Sequence, residues 1–196
     1  MAPDEPLTPI PSRRAFLRTG VALAGGSSLL SACGGGGSRR KPKLVAGSDP
    51  VSVRLADISI LNEVLDLEHA AIAAYTAGIP LLAGHARAAA VRFLGQELSH
   101  AGKLESTIKG AGGKPNPPRT SYDLGRPRTG SDVLEMLRRN EASLVSAYLG
   151  AIPELMPGWL RAVAAGILAN EGQHVCVLRA VQGLSPVPSA LVTASE

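Results

Sequence analysis

Two short segments, Glu97-Leu98-Ser99-His100 and Glu171-Gly172-Gln173-His174, each set a carboxylate and an imidazole three residues apart within stretches rich in Leu, Val and Ala. On a helix that spacing puts both side chains on one face, where together they can ligate a metal ion. Two further glutamates are each followed by a tyrosine seven residues on: Glu68 by Tyr75, and Glu141 by Tyr148. The order along the chain is therefore Glu, Tyr, Glu-x-x-His, twice. From Glu68 to Glu97 is 29 residues and from Glu141 to Glu171 is 30, so the two halves keep register as an internal duplication.

Helical periodicity decides where these groups point. Leu134, Leu137, Glu141, Leu144, Tyr148 and Ala151 step by three and four, which places Glu141 inside an apolar stripe. The same holds for Val64, Glu68, Ala71 and Tyr75; for Phe93, Glu97, His100 and Leu104; and for Val163, Ile167, Glu171, His174 and Leu178. All six ionisable groups are expected to face a common core. Four buried carboxylates without partners would be strongly destabilising. Two divalent cations would balance Glu68, Glu97, Glu141 and Glu171, while His100 and His174 bind as neutral imidazoles. A carboxylate-rich set with one His per metal suits iron, or alternatively manganese, better than structural zinc.

The elements that must hold this constellation are four long helices, roughly 52–77, 84–110, 131–152 and 158–182, with breaks rich in Gly and Pro between them. Ser131 is the expected N-cap of the third helix, and Pro157-Gly158 marks the start of the fourth. Short connections make the first and second helices, and the third and fourth, antiparallel hairpins. Between the hairpins, Gly110 to Gly130 carries no helical pattern and is long enough to run the length of a bundle. The fold class is all-α, a four-helix bundle of two antiparallel hairpins joined by a long crossover. Aromatic content of 3% against 45% hydrophobic residues fits closely packed Ala, Leu, Val and Ile helices and disfavours a β-sandwich.

Other polar residues are set apart from the site. His69 falls about 100° around the helix from Glu68, at a flank. Glu63, Asp66, Glu105 and Glu135 are read as solvated-face residues, His85 as a loop residue, and Cys176 as a small core side chain.

The stretch from about 52 to 183 resembles the ferritin-like superfamily, which includes rubrerythrins and bacterioferritins, and more narrowly the exported ferritin-like domain proteins of bacteria. The run "QELSHAGKLESTIKGAGGKP", a Glu-x-x-His helix ending in Gly-Gly-x-Pro, carries that narrower resemblance. By position it implies Glu97 and Glu171 as bridging ligands, Glu68 and Glu141 as terminal carboxylates, and His100 and His174 completing two metal spheres. Tyr75 and Tyr148 fall where the family keeps tyrosines behind the ligands. Many relatives have an acidic residue before the Glu of Glu-x-x-His to orient a histidine across the site; here Gln96 and Asn170 stand there, able to accept a hydrogen bond without adding charge. The four-cysteine iron site of a full rubrerythrin has no counterpart among two cysteines.

The N-terminus reads as a targeting segment. Arg13-Arg14 precede a short apolar stretch, Thr19 to Leu30, resembling a twin-arginine export signal, and Leu30-Ser31-Ala32-Cys33 resembles a lipobox. The expected organisation is a signal peptide over 1–32, a lipidated Cys33 with a basic and Gly-rich linker over 33–51, the bundle over 52–183 and a flexible tail over 184–196. Cleavage would leave 17 basic against 14 acidic residues, a mild charge that gives no reason to invoke nucleic acid. Arg39-Arg40-Lys41-Pro42-Lys43 can lie against an anionic membrane surface or serve as a solvated linker.

These readings converge on a membrane-anchored, extracytoplasmic di-iron or di-manganese protein, redox-active towards O2 or peroxide. Its electron donor or small-molecule substrate is left unnamed, and homodimerisation through bundle faces stays open. The alternative is a non-catalytic metal-binding or structural envelope lipoprotein. A closed iron-storage cage ranks lowest, because a lipid anchor on every chain fits poorly with a soluble shell.

Overall fold

The computed structural model describes residues 52–190. The expected export signal at Arg13 and Arg14 and the lipidation site at Cys33 lie outside them. Four helices make up the described chain: α1 (Leu55–Gly78), α2 (Gly84–Gly110), α3 (Gly130–Glu154) and α4 (Gly158–Val181), with a 3-10 turn, Ile79–Leu81, between α1 and α2. No strand occurs among the described residues. Pairs α1–α2, α3–α4 and α1–α3 pack closely, whereas α2 and α4 meet more loosely. No described helix is long and apolar enough to cross a membrane.

Helix ends are fixed by local chemistry. The N-cap of α3 is Thr129, not Ser131: Asp132 N–H donates to Thr129 Oγ1 at 3.1 Å while Thr129 N–H donates to Asp132 Oδ2 at 2.9 Å. This reciprocal pair satisfies two orphan donors, which Ser131 inside the first turn cannot do. His85 is exposed in the first turn of α2 and is not a loop residue. The end of α2 needs its glycines. Gly112 adopts φ +81°, and Gly113 N–H closes on Ile108 O at 2.8 Å. A Cβ at Gly113 would stand 2.7 Å from Ile58 Cγ2.

Side chains tie the connections down. Asn62 on α1 donates to Lys114 O at 3.1 Å and accepts from Asn116 N–H at 2.7 Å, clamping the start of the crossover. Asp57 is fully buried and joins the start of α1 to the α3–α4 corner, accepting from Arg54 and from Met156 N–H at 2.9 Å. Burial opposes its charge, but the Arg54 guanidinium and these N–H donors hold its carboxyl down at about 2.

The apolar core forms two clusters separated along the bundle axis. One contains Leu61, Leu65, Leu104, Leu144, Tyr148 and Leu160; the other contains Tyr75, Phe93, Val133, Leu137 and Leu178. Val133 is fully buried, whereas Leu134, expected to open the α3 stripe, is half-buried. On α2, α3 and α4 the glutamate of the duplicated pattern falls between the two clusters, and on α1 Glu68 lies near the end of the first. Cys176 is half-buried in an apolar surface groove beside Leu149, Leu168 and Val177, so it is not the core side chain expected.

Candidate metal centre

The layer between the clusters contains Glu68 of α1, Glu97 and His100 of α2, Glu141 of α3, and Glu171 and His174 of α4. All four glutamates and His174 have no solvent exposure; the His100 side chain keeps 12%. The six divide into two groups whose ligand atoms all lie within 4.8 Å of one another: Glu68, Glu97, His100 and Glu171, and Glu97, Glu141, Glu171 and His174. Glu97 and Glu171 belong to both. No other described residues form such a group.

Hydroxyls reach across the duplication. Tyr148 of α3 donates to Glu68 Oε1 of α1 at 2.5 Å, and Tyr75 of α1 donates to Glu141 Oε1 of α3. Each hydroxyl fixes one oxygen of its carboxyl and leaves the other for the centre.

The histidines face the carboxylates through Nδ1. His174 Nδ1 stands 3.0 Å from Glu97, 3.2 Å from Glu141 and 3.3 Å from Glu171. Its Nε2 meets Gln96 Oε1 at 2.8 Å, and Phe93 stacks on its ring with centroids 4.1 Å apart. A Gln oxygen can only accept, so Nε2 carries the proton and Nδ1 turns to the centre. His100 Nδ1 lies 2.7 Å from Glu171 and 3.6 Å from Glu68. Among the described residues Asn170 makes no side-chain hydrogen bond.

Of these approaches to carboxylates only that of His174 Nδ1 to Glu141 Oε2, at 3.2 Å, is a hydrogen bond. Glu68 Oε2, both oxygens of Glu97, both oxygens of Glu171 and His100 Nδ1 are buried without a hydrogen-bond partner. The 2.7 Å approach of His100 to Glu171 lacks the required alignment. Such atoms aim at common points and not at one another. Each would carry a desolvation cost of about 1–3 kcal/mol, more when charged, which a divalent cation at either group would offset. The oxygen-rich set with one nitrogen per group fits such ions.

Charge is distributed unevenly in the layer. Burial, reinforced by the charges of Glu171 and Glu97, pushes Glu68 up to about 8, and burial drives Glu141 well above the carboxylate range. For Glu97 and Glu171 burial acts the same way, but His100 and His174 outweigh it, lowering Glu97 and holding Glu171 at about 2. Burial would lower the histidines, yet the surrounding carboxylates hold His100 at about 12 and His174 at about 11. Burial and the adjoining glutamates lift both tyrosines well above their usual range. The directions match a proton-filled metal-free layer, in which charge on the two imidazoles balances Glu97 and Glu171 while burial opposes ionisation of Glu68 and Glu141.

The remaining polar residues stay outside. His69 is 6% exposed, more buried than a flank position suggests, and its Nε2 lies 3.9 Å from Glu105. Asp66 accepts from Asn116, Glu135 pairs with Arg138 and Arg139, and Glu63 is exposed. Phe93 was readable as part of the inward face, but its stacking on His174 depends on how α2 and α4 are rotated against each other.

The family model of the ferritin-like domain matches residues 56–184. No curated protein matches the sequence. Among solved structures, a conserved hypothetical protein from Mycobacterium tuberculosis is similar at TM-score 0.62 and 18% identity, covering 65% of this chain and 97% of that one. A ferritin-like diiron-carboxylate protein from Bacillus anthracis str. Ames is similar at TM-score 0.56 and 24% identity, over 65% and 95% of the two chains. The bacterioferritin-related dodecameric thioferritin from Bacteroides fragilis gives 0.59 and 21%, over 67% and 88%. At these identities the structural likenesses establish the four-helix fold, and the match over 56–184 establishes the family: the chain belongs to the ferritin-like domain family.

Proposed function

We propose that this bundle holds two iron ions and is redox-active towards O2 or peroxide, in a chain exported and tethered to the outer face of the cell membrane through Cys33. One observation carries the metal reading: two ligand groups share Glu97 and Glu171, and the oxygens of those two residues are buried without hydrogen bonds. The assigned ligands are Glu68, Glu97, His100 and Glu171 at one position and Glu97, Glu141, Glu171 and His174 at the other. The diiron-carboxylate description of the Bacillus anthracis structure supports iron over manganese.

Bound iron would supply the electron transfer. The protein's part is positioning and exclusion. Tyr75 and Tyr148 hold Glu141 and Glu68 by one oxygen each, which fixes the direction of the other. Gln96 keeps the Nε2 proton of His174 in place and so leaves its Nδ1 free to bind. The apolar clusters on either side limit the access of water to the layer and strengthen the charge interactions within it.

The test is to purify the full chain metal-free, add Fe(II) under anaerobic conditions, and admit air while following ferric absorbance in the near ultraviolet. Two irons per chain and oxygen-dependent absorbance, both lost in Glu97→Ala and Glu171→Ala, are expected. A helical chain that takes up no metal would refute the metal reading. Two ions bound without any oxidation would replace the redox role with a non-catalytic, metal-holding one.

A further inference from the structure

The duplication supplies matched ligands at the two positions but unmatched support behind them. Moving 74 residues along the chain carries Glu97 onto Glu171 and His100 onto His174. The same step carries Phe93 onto Ile167 and Gln96 onto Asn170, and there the likeness fails. His174 is stacked against the Phe93 ring at 4.1 Å, bonded through Nε2 to Gln96 at 2.8 Å, and fully buried. His100 has no equivalent of Phe93 in close contact, its ring meeting only that of His174 with centroids 6.2 Å apart, and no bonded amide. The side chain of Asn170 is one methylene shorter than that of Gln and makes no hydrogen bond among the described residues. His100 is also the one member of the six whose side chain keeps appreciable exposure, 12%.

We propose that the two metal positions are unequal. The position completed by His174 holds its ion tightly, the position completed by His100 exchanges its ion with solvent, and Gln96 is the positioning residue that sets the difference. The inference rests on the two-metal reading above. A ligating imidazole must present one tautomer in one orientation. For His174 the orientation, and the nitrogen that keeps its proton when an ion binds, are set in advance by an acceptor for the Nε2 proton and a ring against its face. His100 has to select both when it binds, and partial exposure gives water and small ligands a way to compete. Removing an outer hydrogen bond of this kind typically lowers metal affinity about 10–100-fold.

The experiment is a Co(II) titration of the full chain, starting metal-free and followed by visible absorbance. Two cations sharing Glu97 and Glu171 repel each other, so the diagnostic is how each step answers to substitution and not their separation. The tight step should disappear in His174→Ala and survive in His100→Ala. Gln96→Leu should weaken the tight step about 10–100-fold and spare the other, while Gln96→Glu, which keeps an acceptor, should restore it. Asn170→Gln should extend the amide towards His100 and tighten the weaker step. If the chain binds two cobalt ions but Gln96→Leu and Asn170→Gln leave both steps unmoved, or move them equally, the inequality is refuted and the two-metal reading stands. If no cobalt binds, both fall together.

Discussion

Loading the metal-free layer with two divalent cations should expel a countable number of protons. Without metal, His100 and His174 are held at about 12 and 11, Glu68 is lifted to about 8 and Glu141 is raised well above the carboxylate range by burial. At pH 7 the layer therefore carries four protons that ligation must displace, one from each imidazolium and one from each carboxylic acid. Glu97 and Glu171 are already ionised and contribute none. The expected release is about four protons per chain for two ions, falling as pH rises past about 8 and Glu68 loses its proton beforehand. Each displaced proton makes apparent affinity about tenfold stronger per pH unit, so the constant for the pair should climb about 10⁴-fold between pH 6 and 7. The release can be read in a weakly buffered pH-stat, or by calorimetry in two buffers of different ionisation enthalpy. Two ions bound with one proton or fewer released would refute the proton-filled layer, because the vacant carboxylates would then have been charged all along.

Stability of the metal-free protein should fall as pH rises from about 6.5 to 8. The unfolded chain sheds its histidine protons there while the native layer keeps them, at about 1.4 kcal/mol per pH unit for each proton retained. With metal bound the slope should reverse; a metal-free urea midpoint that rises over this window would contradict the assignment. At the acid end, the stability that Glu171 contributes above about 4.5 should be lost as pH falls towards 2. Tyr148→Phe deprives the buried Glu68 Oε1 of its donor and should lower metal-free stability by about 1–3 kcal/mol in urea, with helicity kept. Gly113→Ala should cost about 1–3 kcal/mol by driving a methyl into Ile58, and a neutral result would mean that the crossover shifts freely. Thr129→Ala should cost about 1 kcal/mol and Ser131→Ala nearly nothing, which thermal melts of the pair will separate.

Periodicity and loop length made the bundle legible because both are local properties. A three-and-four rhythm must bury one face, and two short links around a long one leave few ways to connect four helices. The six inward ionisable residues were legible for the same reason, as each interrupts a stripe that burial requires to be apolar. Helix caps were less so: Thr129, Gly130 and Ser131 compete within three residues, and the winner depends on Asp132 reaching back to the Thr129 N–H. The environment of Cys176 was misread because its position between the core and the groove turns on a few tens of degrees of helix rotation. Spacing could place Gln96 beside the ligands, but its bond to His174 on another helix, and the failure of Asn170 to mirror it, emerge only when α2 and α4 are brought together.

The crossed tyrosines change what each half of the duplication can do alone. Tyr75 lies in the first hairpin and serves Glu141 in the second; Tyr148 lies in the second and serves Glu68 in the first. Neither hairpin contains both a buried carboxyl and the hydroxyl that aims it. A fault in one copy is therefore felt in the other, and an intact duplicate offers no spare. The repeat works as an exchange of obligations between halves, so losing either tyrosine should misdirect the glutamate on the opposite hairpin while leaving the one on its own hairpin correctly held.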